Sequence, residues 1–245
     1  TDDVLTITFD RPERLNALTA EIIHAAADAV EAAAADGTRV IVLTGSGRAF
    51  SSGADVGPDG SPPGLDTLDA ANRLVLAITG SPLPVVAAVN GVAAGVGCSF
   101  ALAADLVVAR ESSSFMLAFT RIGLMPDGGA SLLVPAAVGR ARAAPMALLA
   151  ERTTAAQALE WGMIAEVVAD DGFDERIAQL SAQLAAGAPL AFAATKRTIN
   201  AVTLSLLPAA LADERSGQDA LLQSADFAEG MAAFQQKRPA EFTGS

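Results

Sequence analysis

The side chains able to do chemistry here are few. The chain holds one histidine, His24, one cysteine, Cys98, and no tyrosine. A nucleophile–histidine pair would need His24 within reach of a serine or cysteine. His24 instead sits in a strongly periodic stretch, where a structural role is the expectation. Ser99, in GCSFA, lacks the second glycine of a nucleophile elbow. One histidine and one cysteine cannot build a Cys/His zinc site, and no metal is expected. The glycine-bearing stretches GSGRAFSSG (45–53) and NGVAAGVG (90–97) match neither a dinucleotide fingerprint nor a P-loop. No lysine or arginine lies between Asn90 and Asp105 to meet a phosphate.

What those turns can offer is backbone. SSGAD (51–55) and NGVAAGVG each leave an apolar run. Where such a turn opens a helix, the first N–H groups lack intrahelical partners and carry the positive end of the helix dipole. Two converging N–H groups would hold a developing oxyanion. Glycines that merely permit tight turns would give the same spacing. The carboxylate to consider beside them is Asp127, in LMPDGGAS. Its plain reading is an N-cap for a helix starting at Gly128. A helix N-terminus would lower its pKa, whereas the neighbours Phe119, Leu124 and Met125 would raise it.

These groups must be carried by elements that the pattern also outlines. VLTITF (4–9) alternates as a half-buried strand, and Thr19 can cap a helix running to about Asp36 with Ile22, Ile23, Ala26 and Val30 on one side. RVIVLTGSG and PVVAAVN read as strands buried on both faces, with a helix over about 66–80 between them. DLVVAR and SFMLAF read as further strands. From Gly128 the chain reads as mostly helical, with one short strand near IAEVV. Residues 57–66, GPDGSPPGLD, read as the one obvious flexible loop.

At 245 residues, 51% hydrophobic and 18% charged, the chain is of globular composition. A net charge of −12 opposes nucleic acid and anionic membrane as partners. Residues 83–104 carry no charge, but Pro84, Asn90 and three glycines make a poor membrane span. A single cysteine excludes an intrachain disulfide, the first residues lack signal-peptide character, and a cytoplasmic protein is expected.

The order PERLNAL (12–18), VIVLTGSGRAFSSGAD (40–55), PVVAAVNGVAAGVGCSFALAAD (84–105) and IGLMPDGGAS (122–131) resembles the crotonase, or enoyl-CoA hydratase/isomerase, family. AAQALEWGMIAEVV (155–168) and EGMAAFQQKRPAEF (229–242) continue the likeness over essentially the whole chain. The resemblance implies an α/β fold: a spiral of ββα units over residues 1–188 and a C-terminal helical trimerisation region over 189–245. It implies acyl-CoA thioester substrates, coenzyme A entering only as part of the substrate, and a homotrimer or dimer of trimers. The oxyanion donors would be the N–H groups of Ala54 and Val96, the latter a departure where many members carry glycine. For coenzyme A it implies contacts from Arg14, Leu15, Ser52, Gly53, Ala54 and Asp55, with Phe234 and Lys237 reaching the coenzyme A of a neighbouring subunit. Lys196, the other lysine, is a second candidate cation.

Two departures bear on the reaction. Hydratase-type members carry glutamates where this chain has Ser99 and Phe119. Hydration needs a base for water and a proton for carbon, roles that neither residue performs at neutral pH. The PD-x-G-x-S pattern resembles the 1,2-epoxyphenylacetyl-CoA isomerase-like branch of phenylacetate degradation, which implies that Asp127 shuttles a proton in a double-bond shift or in opening an epoxide-derived ring. The alternatives are a hydratase for an unusual enoyl-CoA and a non-catalytic acyl-CoA-binding homologue.

Overall fold

The computed structural model describes residues 3–57 and 62–245; part of the 57–66 loop lies outside the described residues. In chain order the elements are β1 (Val4–Phe9), α1 (Ala20–Ala32), β2 (Val40–Gly45), β3 (Ala49–Ser51), α2 (Leu65–Gly80), β4 (Val85–Val89), β5 (Val92–Ala94) and α3 (Val96–Ala103). They continue as β6 (Leu106–Arg110), β7 (Ser114–Met116), α4 (Ala130–Val138), α5 (Arg140–Leu148), β8 (Thr153–Thr154), α6 (Ala155–Glu160) and β9 (Glu166–Val168). The helices α7 (Phe173–Ala185), α8 (Pro189–Thr203), α9 (Leu207–Leu222) and α10 (Ala225–Gln236) complete the chain.

Two sheets result, ordered β1-β2-β4-β6-β9 and β3-β5-β7-β8. All pairings are parallel except β7 with β8. Successive strand pairs, β2β3, β4β5 and β6β7, place their first strand in the larger sheet and their second in the smaller. This is the expected α/β architecture of repeated ββα units.

The register explains the continuous apolar runs. Ile41, Leu43, Val85, Ala87 and Val107 face the main core, while Val40, Val42, Val86, Ala88 and Val108 face Phe173 and Leu180 of α7. A strand covered on both sides shows no alternation. The three-residue strands β3 and β5 are too short for any periodicity to show, and β5 intervenes where the sequence suggests a turn directly into a helix. SFMLAF is a strand only to Met116; a tight helical turn follows over Ala118–Ile122.

The uncharged residues 83–104 fold as β4, β5 and α3 inside the core. Among the described residues no single helix is long and apolar enough to cross a membrane. Thr19 does cap α1, its Oγ accepting from the Ile22 N–H at 3.5 Å, although the regular helix ends at Ala32.

Candidate active site

The two glycine turns touch. Gly53 (φ +95°) and Gly95 (φ +53°) adopt backbone that other residues resist. A Cβ on Gly53 would stand 2.9 Å from the Ala94 carbonyl oxygen, and one on Gly95 would stand 3.6 Å from the Gly53 Cα. Bare backbone is what lets the chain after β3 meet the start of α3.

Val96 is the first residue of α3, so its N–H has no intrahelical partner. Ala54 forms a parallel bridge with Leu18, and its flanking groups make the bonds: Leu18 N–H to the Gly53 carbonyl and Asp55 N–H to the Leu18 carbonyl, both 2.9 Å. Among the described residues neither the Ala54 nor the Val96 N–H donates to any acceptor. The helix they abut carries no charged residue, and its Cys98 thiol is pushed by burial up to about 12, which leaves it unreactive.

The Asp127 loop lies on that first turn of α3. The Ser99 hydroxyl donates to the Asp127 carbonyl at 2.7 Å. A Cβ on Gly128 would come within 3.1 Å of the Ser99 Cβ and 3.2 Å of the Val96 Cγ2. The Asp127–Gly128 backbone therefore packs against Ser99 and Val96.

Asp127 does not cap α4. The helix begins at Ala130, and its free N–H groups are met by Glu214 from α9: Gly129 N–H donates to Oε2 at 2.7 Å and Ser131 N–H to Oε1 at 2.9 Å. The Asp127 carboxylate takes one bond, from the Gln218 Nε2 to Oδ2 at 2.7 Å. Oδ1 accepts no hydrogen bond among the described residues and is not sealed off from solvent. Burial wins the contest over basicity. It lifts Asp127 from 3.8 to about 7, with the Gln218 bond pulling down and the Glu214 charge adding to the rise. Glu214 is itself raised by burial, against the pull of its bonds to Ser131 and Gly129.

Glu214 and Gln218 are the residues that sequence reasoning missed. Both are buried, at 0% and 2% exposure, and α9 buries 207, 211, 214 and 218 on one stripe. Two polar residues at 3.6-periodic core positions were the available signal.

Six of the expected coenzyme A contacts come together. Ser52 N–H donates to the Leu15 carbonyl at 2.9 Å, and Ser52 Oγ to the Arg14 carbonyl at 3.3 Å. Asp55 is ion-paired with Arg11 at 2.9 Å and lies 3.6 Å from Arg14. Burial alone would raise Asp55; the Gly57 N–H and these guanidinium groups override it and hold the carboxyl below its ordinary value. Gly53 and Ala54 complete the ridge.

Phe234 and Lys237 lie at the exposed end of α10, and among the described residues neither makes a hydrogen bond to this site. Lys196 is not a surface cation. It is 8% exposed and binds Asp105 and the Ile78 and Leu83 carbonyls at 2.8, 2.8 and 3.1 Å. His24 is exposed on α1, 3.5 Å from Arg73, and does not reach the site. Among the described residues no cluster of His, Cys, Asp and Glu could hold a metal ion.

A model of the enoyl-CoA hydratase/isomerase family matches residues 1–245. The chain belongs to this family. A probable enoyl-CoA hydratase from Rhodobacter capsulatus is 50% identical over 99% of this chain and 95% of its own length. A 1,2-epoxyphenylacetyl-CoA isomerase from Escherichia coli is 41% identical over 98% and 95%. The crystal structure of an enoyl-CoA hydratase from Mycobacterium avium subsp. paratuberculosis superposes with a TM-score of 0.94 at 51% identity, covering 99% of this chain and 96% of that one. As a family member the protein is an enoyl-CoA hydratase/isomerase-type enzyme of CoA thioesters. The Ser99 hydroxyl is engaged by the Asp127 carbonyl, and Phe119 is buried in the core.

Proposed function

We propose that this enzyme isomerises enoyl-CoA thioesters rather than hydrating them. The thioester carbonyl accepts from the Ala54 and Val96 N–H groups, which stabilise the negative charge gathered there when the C2 proton leaves. Asp127 takes that proton through Oδ1, and the electron pair delocalises over C2–C4 and the carbonyl oxygen. The same carboxyl returns the proton to C4. The double bond moves from C3–C4 to C2–C3, no water is consumed, and Asp127 ends ionised as it began.

The observation that carries this reading is that, among the described residues, Asp127 is the one open carboxylate beside the glycine turns. Both oxygens of Glu214 are occupied by backbone N–H groups, and Ser99 and Phe119 supply none. A pKa of about 7 suits a group that must both take and give a proton at neutral pH. The ridge of Arg14, Leu15, Ser52, Gly53, Ala54 and Asp55 is the surface for coenzyme A, which enters with the substrate. Phe234 and Lys237 would serve a neighbouring subunit of a homotrimer or dimer of trimers. The relative named as an epoxyphenylacetyl-CoA isomerase favours isomerisation; the one named as a probable hydratase favours hydration.

Absorbance of the conjugated thioester separates them. A 3-enoyl-CoA should gain this absorbance when enzyme is added. Loss of absorbance from a 2-enoyl-CoA, with no gain from the 3-enoyl-CoA, would establish the hydratase instead.

A further inference from the structure

Helix α9 directs one turn of polar side chains at the Asp127 loop. Leu207, Leu211, Glu214 and Gln218 form its buried stripe, and the last two make five hydrogen bonds to residues 125–131. A buried carboxylate is costly unless its partners are complete. Here they are, and they belong to the Asp127 loop and the first turn of α4 that follows it.

Gln218 has one permitted orientation. The Met125 N–H is a donor only and fixes the Gln218 Oε1 at 3.3 Å. Nε2 must then face the Met125 carbonyl at 3.0 Å and Asp127 Oδ2 at 2.7 Å. With Oδ2 held, Oδ1 is the oxygen left open. Glu214 meets the Gly129 and Ser131 N–H groups at the start of α4, so that helix end does not draw on the Asp127 carboxylate.

We infer that Glu214 and Gln218 are positioning residues for Asp127: Gln218 fixes which oxygen faces the substrate, and Glu214 sets the loop and the charge beside it. The inference rests on the proposed isomerase reading. Among the described residues Glu214 is the charge that acts on Asp127. Helix α3 carries no charge, Arg121 turns to the Ala150 carbonyl, Arg215 pairs with Asp69, and Asp226 of α10 binds the backbone at Thr243 and Gly244.

The two residues should act in opposite directions. Glu214→Gln removes a negative charge and makes Asp127 easier to ionise, so the acid limb of kcat/KM should move about one pH unit lower. Gln218→Met removes a donor to the ionised carboxylate, so the limb should move about one unit higher, with kcat falling more than KM changes. A purely architectural role would lower activity without these opposed shifts. Infrared titration of the Asp127 carboxyl, by difference against Asp127→Asn, reads the same midpoints without turnover. If Gln218→Met does not fold, Glu214→Gln, isosteric with the native residue, decides alone.

Opposed midpoint shifts support the inference. Unmoved midpoints in both variants overturn it, even where Asp127→Asn is inactive and the isomerase reading stands. An active Asp127→Asn enzyme would remove that reading, while the infrared midpoints would still report whether α9 controls Asp127.

Discussion

Replacing Asp127 by asparagine should stabilise the fold, by an amount that grows with pH. In the folded protein the carboxyl titrates at about 7, raised from 3.8 chiefly by burial. The unfolded chain therefore releases this proton first. Below pH 3.8 both states keep it and nothing is lost. As pH rises from there to about 7, holding the proton, and then ionising within the fold, costs stability, and the full loss is reached above 7. The difference of about three units corresponds to about 4 kcal/mol, and access of solvent to Oδ1 reduces this to about 2–4 kcal/mol at pH 8. At pH 5 the same arithmetic gives about 1.5 kcal/mol. Asparagine keeps an oxygen for the Gln218 donor, so the loop is retained and the comparison isolates the charge. Urea midpoints of both proteins at pH 5 and pH 8 read the effect. A variant advantage that is equal at the two pH values, or a variant less stable at pH 8, would refute the reasoning.

Two further substitutions probe the frame around the site. Lys196→Met strands Asp105, itself raised by burial, without its partner, and should lower the denaturation midpoint by the equivalent of about 3 kcal/mol. Adding Asp105→Asn should recover part of that loss; no recovery would show that the lysine's packing rather than the charge pair matters. Gly53→Ala sets a Cβ 2.9 Å from the Ala94 carbonyl oxygen at φ +95°, which drives the Gly53 and Gly95 turns, and with them the proposed oxyanion donors, apart. Turnover should fall by about tenfold or more, and a kcat near wild type would show that the turns tolerate separation.

How much of this the sequence discloses depends on distance along the chain. β2 and β4 are legible because burial on both faces makes them unbroken apolar runs. The contact between the Gly53 and Gly95 turns agrees with their glycines, although glycines that only permit tight turns would give the same spacing. Asp127 stands out as a carboxylate in a loop of small residues, but its pKa does not, because burial, Gln218 and Glu214 pull on it from parts of the chain that only folding unites. Glu214 lies 85 residues from the N–H it caps, so its place on the apolar stripe of α9 hints at burial but not at its partner. Lys196 hides in the same way, its partner Asp105 lying at the far end of the β5–α3 stretch. β3 and β5 are invisible to periodicity because three residues do not complete a pattern.

The central claim is that one carboxylate moves one hydrogen between two carbons of a bound thioester. Turnover of a 3-enoyl-CoA by Asp127→Asn, followed as growth of conjugated-thioester absorbance, addresses it most directly. The account requires a fall of about a hundredfold or more in kcat in a variant that stays folded and still binds acyl-CoA. A folded variant that isomerises at the wild-type rate would contradict it.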